Sequence, residues 1–86
     1  MKRIAFLPNS FKDFKCWATE DKHIYQKIVA ILGEMEREPL KGVGEPESLK
    51  HELKGLWSRR ITDEHRLVYK VDKEEIVIVS CRFHYV

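Results

Sequence analysis

Long apolar runs are missing from this 86-residue chain, and nothing in it approaches the roughly eighteen apolar residues of a membrane span. The longest charge-free stretch near the start, Ile4 to Phe11, is interrupted by Pro8, Asn9 and Ser10, so it does not read as a signal-peptide core. The chain is therefore expected to be soluble and cytoplasmic, with no membrane partner. Cysteine is scarce: Cys16 and Cys81 lie far apart, with no CxxC and no histidine at ligand spacing. That argues against a disulfide framework or a zinc site and for free thiols buried among apolar neighbours, with no metal and no cofactor expected. A strong charge of one sign is lacking too. Sixteen Lys and Arg against fourteen Asp and Glu leave a net charge of +2, too little to announce a nucleic-acid binder.

What is present is a soluble globular composition, 43% hydrophobic and 35% charged. A mass of 10.3 kDa leaves no room for a second core, so 1–86 reads as a single domain. Lys2 to Leu7 is short, apolar and closed by Pro8, the pattern of a first strand. Ser10 with Asp13 resembles a capping box, and Phe11, Phe14 and Ala18 recur on one helical face, with Trp17 beside them. A second helix is predicted from Thr19–Asp21, carrying the stripe Ile24, Ile28, Ile31, Leu32 and Met35, and ended by Pro39. The segment from Pro39 to Leu53 reads as a long Gly/Pro-rich loop, and ordered loops of that length tend to carry function. Three strands are predicted after it: Trp57 to Thr62, His65 to Val71, and Ile76 to Cys81, the last apolar enough to be buried on both sides. Short turns make these strands antiparallel. The expectation is an α+β domain, with two N-terminal helices packed on one face of a small, mainly antiparallel sheet whose other face is polar.

Several common sites are absent. Gly42-Val43-Gly44 is not followed by Gly-Lys-Ser/Thr and is no phosphate loop. Ser58 and Ser80 lack a nucleophile context, and no helix pair leads into a basic recognition segment. Four of the six arginines, however, fall in the C-terminal third (Arg59, Arg60, Arg66, Arg82), and a guanidinium offers a planar fork of donors suited to phosphate. Arg59 and Arg60 point to opposite faces of one strand, so at most one of them can join a given site there. Each candidate also has an ordinary reading. Glu47 can be a solvated loop carboxylate, His84 an exposed or structural histidine, and Arg66 a surface partner of Glu64 or Glu52. Together they suit one reaction. RNA is cleaved without metal when a base deprotonates the ribose 2′-hydroxyl, an acid protonates the departing 5′-oxygen, and cations stabilise the phosphoryl charge. Glu47 fits the base, His84 the acid, and Arg66 with Lys50 or Arg60 the cationic clamp. Trp57, Phe83 and Tyr85 are candidate stacking faces for bases.

The stretch Pro46-Glu47-Ser48-Leu49-Lys50-His51, then Gly55-Leu56-Trp57-Ser58-Arg59-Arg60-Ile61, then Glu64-His65-Arg66-Leu67-Val68-Tyr69, resembles the YoeB toxins. So does the ending Cys81-Arg82-Phe83-His84-Tyr85, and the resemblance spans essentially the whole chain, densest from Gly42 onward. It implies membership of the RelE-like toxin superfamily, with a microbial-ribonuclease-type fold. It implies messenger RNA cleavage in the ribosomal A site, and so inhibition of translation. It further implies a YefM-like antitoxin whose C-terminal segment covers the toxin and whose N-terminal part binds operator DNA, and a homodimeric toxin. Carried over by motif, the family's base falls on Glu47, its acid on His84 and its phosphate-stabilising arginine on Arg66, with Lys50, Arg60 and Tyr85 at supporting positions.

The chain departs from the family at three points. Glu45 stands where a lysine often precedes the Pro-Glu pair, a charge reversal expected to weaken attraction for RNA or the ribosome. Phe83 replaces a frequent tyrosine, and Val86 follows the usual terminal tyrosine. Two competing readings belong to other classes: a non-catalytic toxin that blocks its target, and a degenerate toxin acting with its antitoxin as a transcriptional co-repressor. A pure binder has no use for the pair Glu47 and His84, which favours the nuclease.

Overall fold

Pro8 opens the first helix. A computed structural model describes residues 2–83. The chain forms a strand, β1 (Arg3–Phe6), then helices α1 (Pro8–Glu20) and α2 (Lys22–Met35). Strands β2 (Glu47–Ser48), β3 (Trp57–Arg60), β4 (Arg66–Val71) and β5 (Glu75–Ser80) follow, with one 3-10 turn at His51–Leu53. They make a five-stranded sheet in the order β1-β5-β4-β3-β2, parallel only between β1 and β5. The expected α+β class holds. The fifth strand is an addition: β2 condenses out of the predicted loop by pairing Glu47 with Ser58 and Ser48 with Trp57. Two residues are too few to show any strand periodicity in the sequence.

The helix starts show where local signals lose to packing. The Ser10–Asp13 capping box is not formed. Helix α1 begins at Pro8, whose ring presets a helical φ and has no amide to satisfy, behind Leu7 with no side-chain cap. Ser10 is instead buried, and its hydroxyl lies 2.7 Å from the Ile78 carbonyl of β5, to which it donates. Pulling Ser10 inward turns the helix, so Trp17 is buried while Phe11 stays 46% exposed. Asp21 does cap α2, accepting the amides of His23 and Ile24. From there Ile28, Ile31 and Met35 enter the core against Leu67, Tyr69, Ile76 and Ile78. Strand β5 is covered more on one side than expected: Ile76 and Ile78 are buried, whereas Val77 and Val79 are half-buried.

The core also encloses a charge. Arg59 of β3 is fully buried, and every one of its donors is used. Nε donates to the Tyr69 hydroxyl at 3.3 Å, and Nη1 donates to Glu34 Oε1 at 2.6 Å and to the Val43 carbonyl at 3.2 Å. Nη2 donates to the carbonyls of Glu38 and Lys41. The Tyr69 hydroxyl in turn donates to the Pro39 carbonyl at 2.9 Å. Burial pushes its phenol above the ordinary value despite the opposing Arg59 hydrogen bond, so it remains a donor. The loop closes on this cluster through Gly42, whose φ of +114° favours glycine and whose missing side chain makes room for the Glu34 carboxylate.

Arg59→Ala strands the Glu34 carboxylate and three backbone carbonyls at once. It should lower the unfolding free energy by about 3–5 kcal/mol, read as a drop in denaturant midpoint. The same pair sets an acid limit. The Arg59 hydrogen bond, then the Val43 amide, hold the Glu34 carboxyl below its ordinary value of 4.5. A carboxyl depressed on folding contributes stability that is complete above its unfolded pKa and is lost as pH falls through the lower folded one. Glu34→Gln should therefore flatten the fall in stability below about pH 4.5, measured by unfolding across a pH series.

Candidate functional site

Strand alternation divides β3 between two roles. With Arg59 committed to the helix side, Arg60 must project from the opposite face, and its cross-strand partner is Arg66 of β4. Ser58, two residues before Arg60, shares that face and pairs with Glu47 on the edge strand β2. Glu47, Arg60 and Arg66 therefore occupy one face of the sheet, the face that carries no helix. Sheet spacings place the Glu47 backbone roughly 8 Å from that of Arg60 and roughly 12 Å from that of Arg66. That separation suits a carboxylate and a cationic pair acting on different atoms of one ligand. Lys50 is exposed just beyond, at the entry to the 3-10 turn.

The electrostatics are uneven. Arg60 Nη2 bonds Glu45 Oε1 at 2.7 Å, with the two side chains 45% and 79% exposed. An ion pair this open to solvent is weak and screened by salt, so an anionic ligand can displace the carboxylate. Glu45 thus acts on Arg60. Arg66 is half-buried, and its Nε is a buried donor with no hydrogen-bond partner among the described residues. A buried unmet guanidinium donor beside a second guanidinium on a polar face is suited to an anion's oxygen atoms.

Phe83 meets this row through its backbone. The Arg66 amide donates to the Phe83 carbonyl at 2.8 Å, and the Phe83 amide donates to His65 Nδ1 at 2.8 Å. Phe83 is 52% exposed, as a stacking face requires. Of the other predicted residues, His84 and Tyr85 lie outside the described residues. Trp57 is corrected. It precedes Arg59 by two positions, lies on the helix side and packs half-buried against the core, so it is no part of the Glu47–Arg66 face. His65, read from sequence only as the start of a strand, is buried between Trp17 and Phe83. Its adjacency to Arg66 was the one available hint, and it carried no information about Phe83.

Backbone strain collects here. Among the described residues, the non-glycine positions at positive φ are Glu45 (+52°), His51 (+60°) and Phe83 (+62°), within two positions in sequence of Glu47, Lys50 and His84 in turn. Each costs on the order of 1 kcal/mol, and such conformations persist where the surroundings enforce them. Trp57→Ala should act through the fold alone. It is expected to lower stability by about 2 kcal/mol, checked by thermal unfolding, while leaving anion binding at the Arg60–Arg66 face unchanged.

Comparison with known proteins bears on this arrangement. Residues 6–85 match the family described as YoeB-like toxin of bacterial type II toxin-antitoxin system. The chain is 45% identical to toxin YoeB of Escherichia coli K12, covering 96% of this chain and 99% of that one. Toxin YoeB of Mycobacterium bovis is 42% identical, over 99% of this chain and 100% of its own. Among solved structures, the YoeB dimer of Staphylococcus aureus superposes with a TM-score of 0.89 at 46% identity, covering 98% of each chain. The YoeB–YefM complex of the same organism gives 0.88 at 44% identity, over 99% of each chain. YafQ of E. coli, at 17% identity and a TM-score of 0.72 over 98% of this chain and 94% of its own, shares the fold.

Proposed function

Starting from a chain that belongs to the YoeB-like toxins of bacterial type II toxin-antitoxin systems, we propose that it is a ribosome-dependent endoribonuclease that cleaves messenger RNA in the A site and so inhibits translation. The observation that carries this reading is the shared sheet face. Glu47 and the opposed pair Arg60–Arg66 sit on it together, and the Arg66 amide binds the carbonyl of the residue that precedes His84.

In this mechanism Glu47 accepts the proton of the ribose 2′-hydroxyl as its oxygen forms a bond to the adjacent phosphorus. Arg66, whose Nε donor has no partner among the described residues, and Arg60, released from Glu45, bind the phosphoryl oxygens as negative charge builds on them. His84 gives its proton to the 5′-oxygen as that bond breaks, leaving a 2′,3′-cyclic phosphate and a free 5′-hydroxyl. Lys50 adds positive potential along the RNA path. Tyr85 and the exposed Phe83 offer ring faces to unstacked bases. No step requires a metal or a cofactor.

The partners follow the same reading. A YefM-like antitoxin is the proposed inhibitor, and operator DNA is reached only through it. The solved YoeB relatives of Staphylococcus aureus include a dimer and a complex with YefM, and a homodimer is the proposed state of this chain when free. No helix among the described residues is long and apolar enough to cross a membrane, and the proposed site of action is the cytoplasm.

Toeprinting on translating ribosomes tests the proposal. Wild-type protein should cut within the A-site codon. Glu47→Gln and His84→Gln should each slow cutting by about 10²–10⁴-fold with no change in unfolding midpoint, Glu47 being exposed on the edge strand. Absence of cuts from folded wild-type protein would return the choice to the target-blocking or co-repressor readings.

A further inference from the structure

After Ser80 the chain has left β5, yet each of the next three residues is held. The Cys81 carbonyl accepts Trp17 Nε1–H at 3.0 Å. The Arg82 guanidinium lies 4.1 Å over the Trp17 ring and bonds Glu20 Oε2 at 2.7 Å. Phe83 is fixed on both sides of its α-carbon, its amide on His65 Nδ1 and its carbonyl on the Arg66 amide. Ordinary ladder pairing does not explain this, because the β4–β5 register shifts between Val68 and Tyr69 and pairs Val68 with Ser80. Nor does local preference, since Phe83 sits at φ +62°, a conformation a β-carbon disfavours.

His65 is built to supply the missing contact. Its ring is buried and meets Trp17 edge-on at 4.8 Å between centroids. Its backbone is pinned by Thr62 Oγ1, which accepts the His65 amide at 3.0 Å, and by the amides of Ile61 and Thr62, which donate to its carbonyl. Because Nδ1 accepts from Phe83, the neutral ring carries its proton on Nε2, the nitrogen 3.6 Å from Glu64 Oε1. The group is thus oriented from three directions, with one acceptor aimed at one backbone amide.

We infer that His65 is a positioning residue for the reaction. It holds the Phe83 amide and thereby sets the left-handed turn from which the chain continues into His84. His65 does not touch RNA and moves no proton in the mechanism. Its contribution is to fix the backbone of Phe83, the residue that precedes the proposed acid in sequence. The inference rests on the reading of His84 as the general acid.

A pair of isosteric substitutions separates this role from core packing. Asparagine carries an oxygen on Cγ where histidine carries Nδ1, so His65→Asn keeps the acceptor and loses the apolar ring. His65→Leu keeps apolar volume against Trp17 and loses the acceptor. Two readouts are needed: hydrogen exchange of the Phe83 amide by NMR, and the rate of A-site cleavage at saturating ribosomes. In His65→Leu the Phe83 amide should exchange about tenfold faster or more, the scale of one lost hydrogen bond. The maximal cleavage rate should fall by at least a similar factor, with the half-saturating ribosome concentration unchanged. His65→Asn should be the less stable protein, yet retain Phe83 protection and most of the cleavage rate. Activity that instead tracks stability across the two variants would overturn the inference, as would an unchanged Phe83 exchange rate in His65→Leu. Should the wild type itself fail to cut, the nuclease reading falls, while the Phe83 exchange rates still decide whether His65 clamps the tail.

Discussion

The buried guanidinium of Arg59 is the contact on which the remainder of the molecule leans. Taking a charge out of water is costly, and the cost is offset only because all five donor positions meet acceptors. Those acceptors come from the end of α2, from the backbone of the following loop and from Tyr69 on the neighbouring strand. One side chain therefore substitutes for the secondary structure that residues 36–46 lack, and it delivers the chain to β2 in a defined place. A lysine could keep the charge but has one nitrogen and no fork, so it could not reach acceptors on three sides.

That commitment of Arg59 also decides where function can lie. Side chains alternate along β3, so burying residue 59 under the helices forces residue 60 out on the other face. Cross-strand pairing then brings Arg66 beside Arg60, and the pairing of β2 adds Glu47 to the same surface. The stability of the fold and the charge of the candidate site are in this sense two faces of one strand. The helix side holds the apolar stripe from Ile28 to Met35 together with the fully bonded Arg59, and the open side carries Glu47, Arg60 and Arg66.

The third device is the strap beyond β5. Trp17 and Glu20 on α1, His65 in the β3–β4 turn and the first amide of β4 all converge on residues 81–83. The Cys81 thiol takes part passively. Burial pushes it up to about 12, so it stays a neutral thiol beside the Ser10 carbonyl. Contacts of this kind let residues 81–83 hold a fixed geometry without belonging to the sheet.

Much of this was legible in the linear chain. The α2 stripe and the three consecutive C-terminal strands follow from periodicity, since burial on one face of a helix or strand imposes a spacing of its own, and the acids near Thr19–Asp21 marked where α2 starts. The opposite orientation of Arg59 and Arg60 was equally readable, because strand alternation is local. Glu47, Lys50, Arg60, Arg66, His84 and Tyr85 could be named as candidates from residue types and from family resemblance, and the described structure brings Glu47, Arg60 and Arg66 onto one sheet face. What could not be read was which of two adjacent arginines would be buried, that Ser10 would bond β5 instead of capping a helix, that Trp57 would face the core, or that Glu45 would pair with Arg60. Nor could His65 be connected with Phe83, eighteen residues away. Each of these depends on groups far apart in sequence meeting in space, and a buried donor takes whichever acceptor the packed fold presents. Sequence alone determined the two helices, four of the five strands and the chemical inventory; tertiary structure added β2 and chose the partners, because desolvation makes each buried polar group's alternatives too costly to leave open.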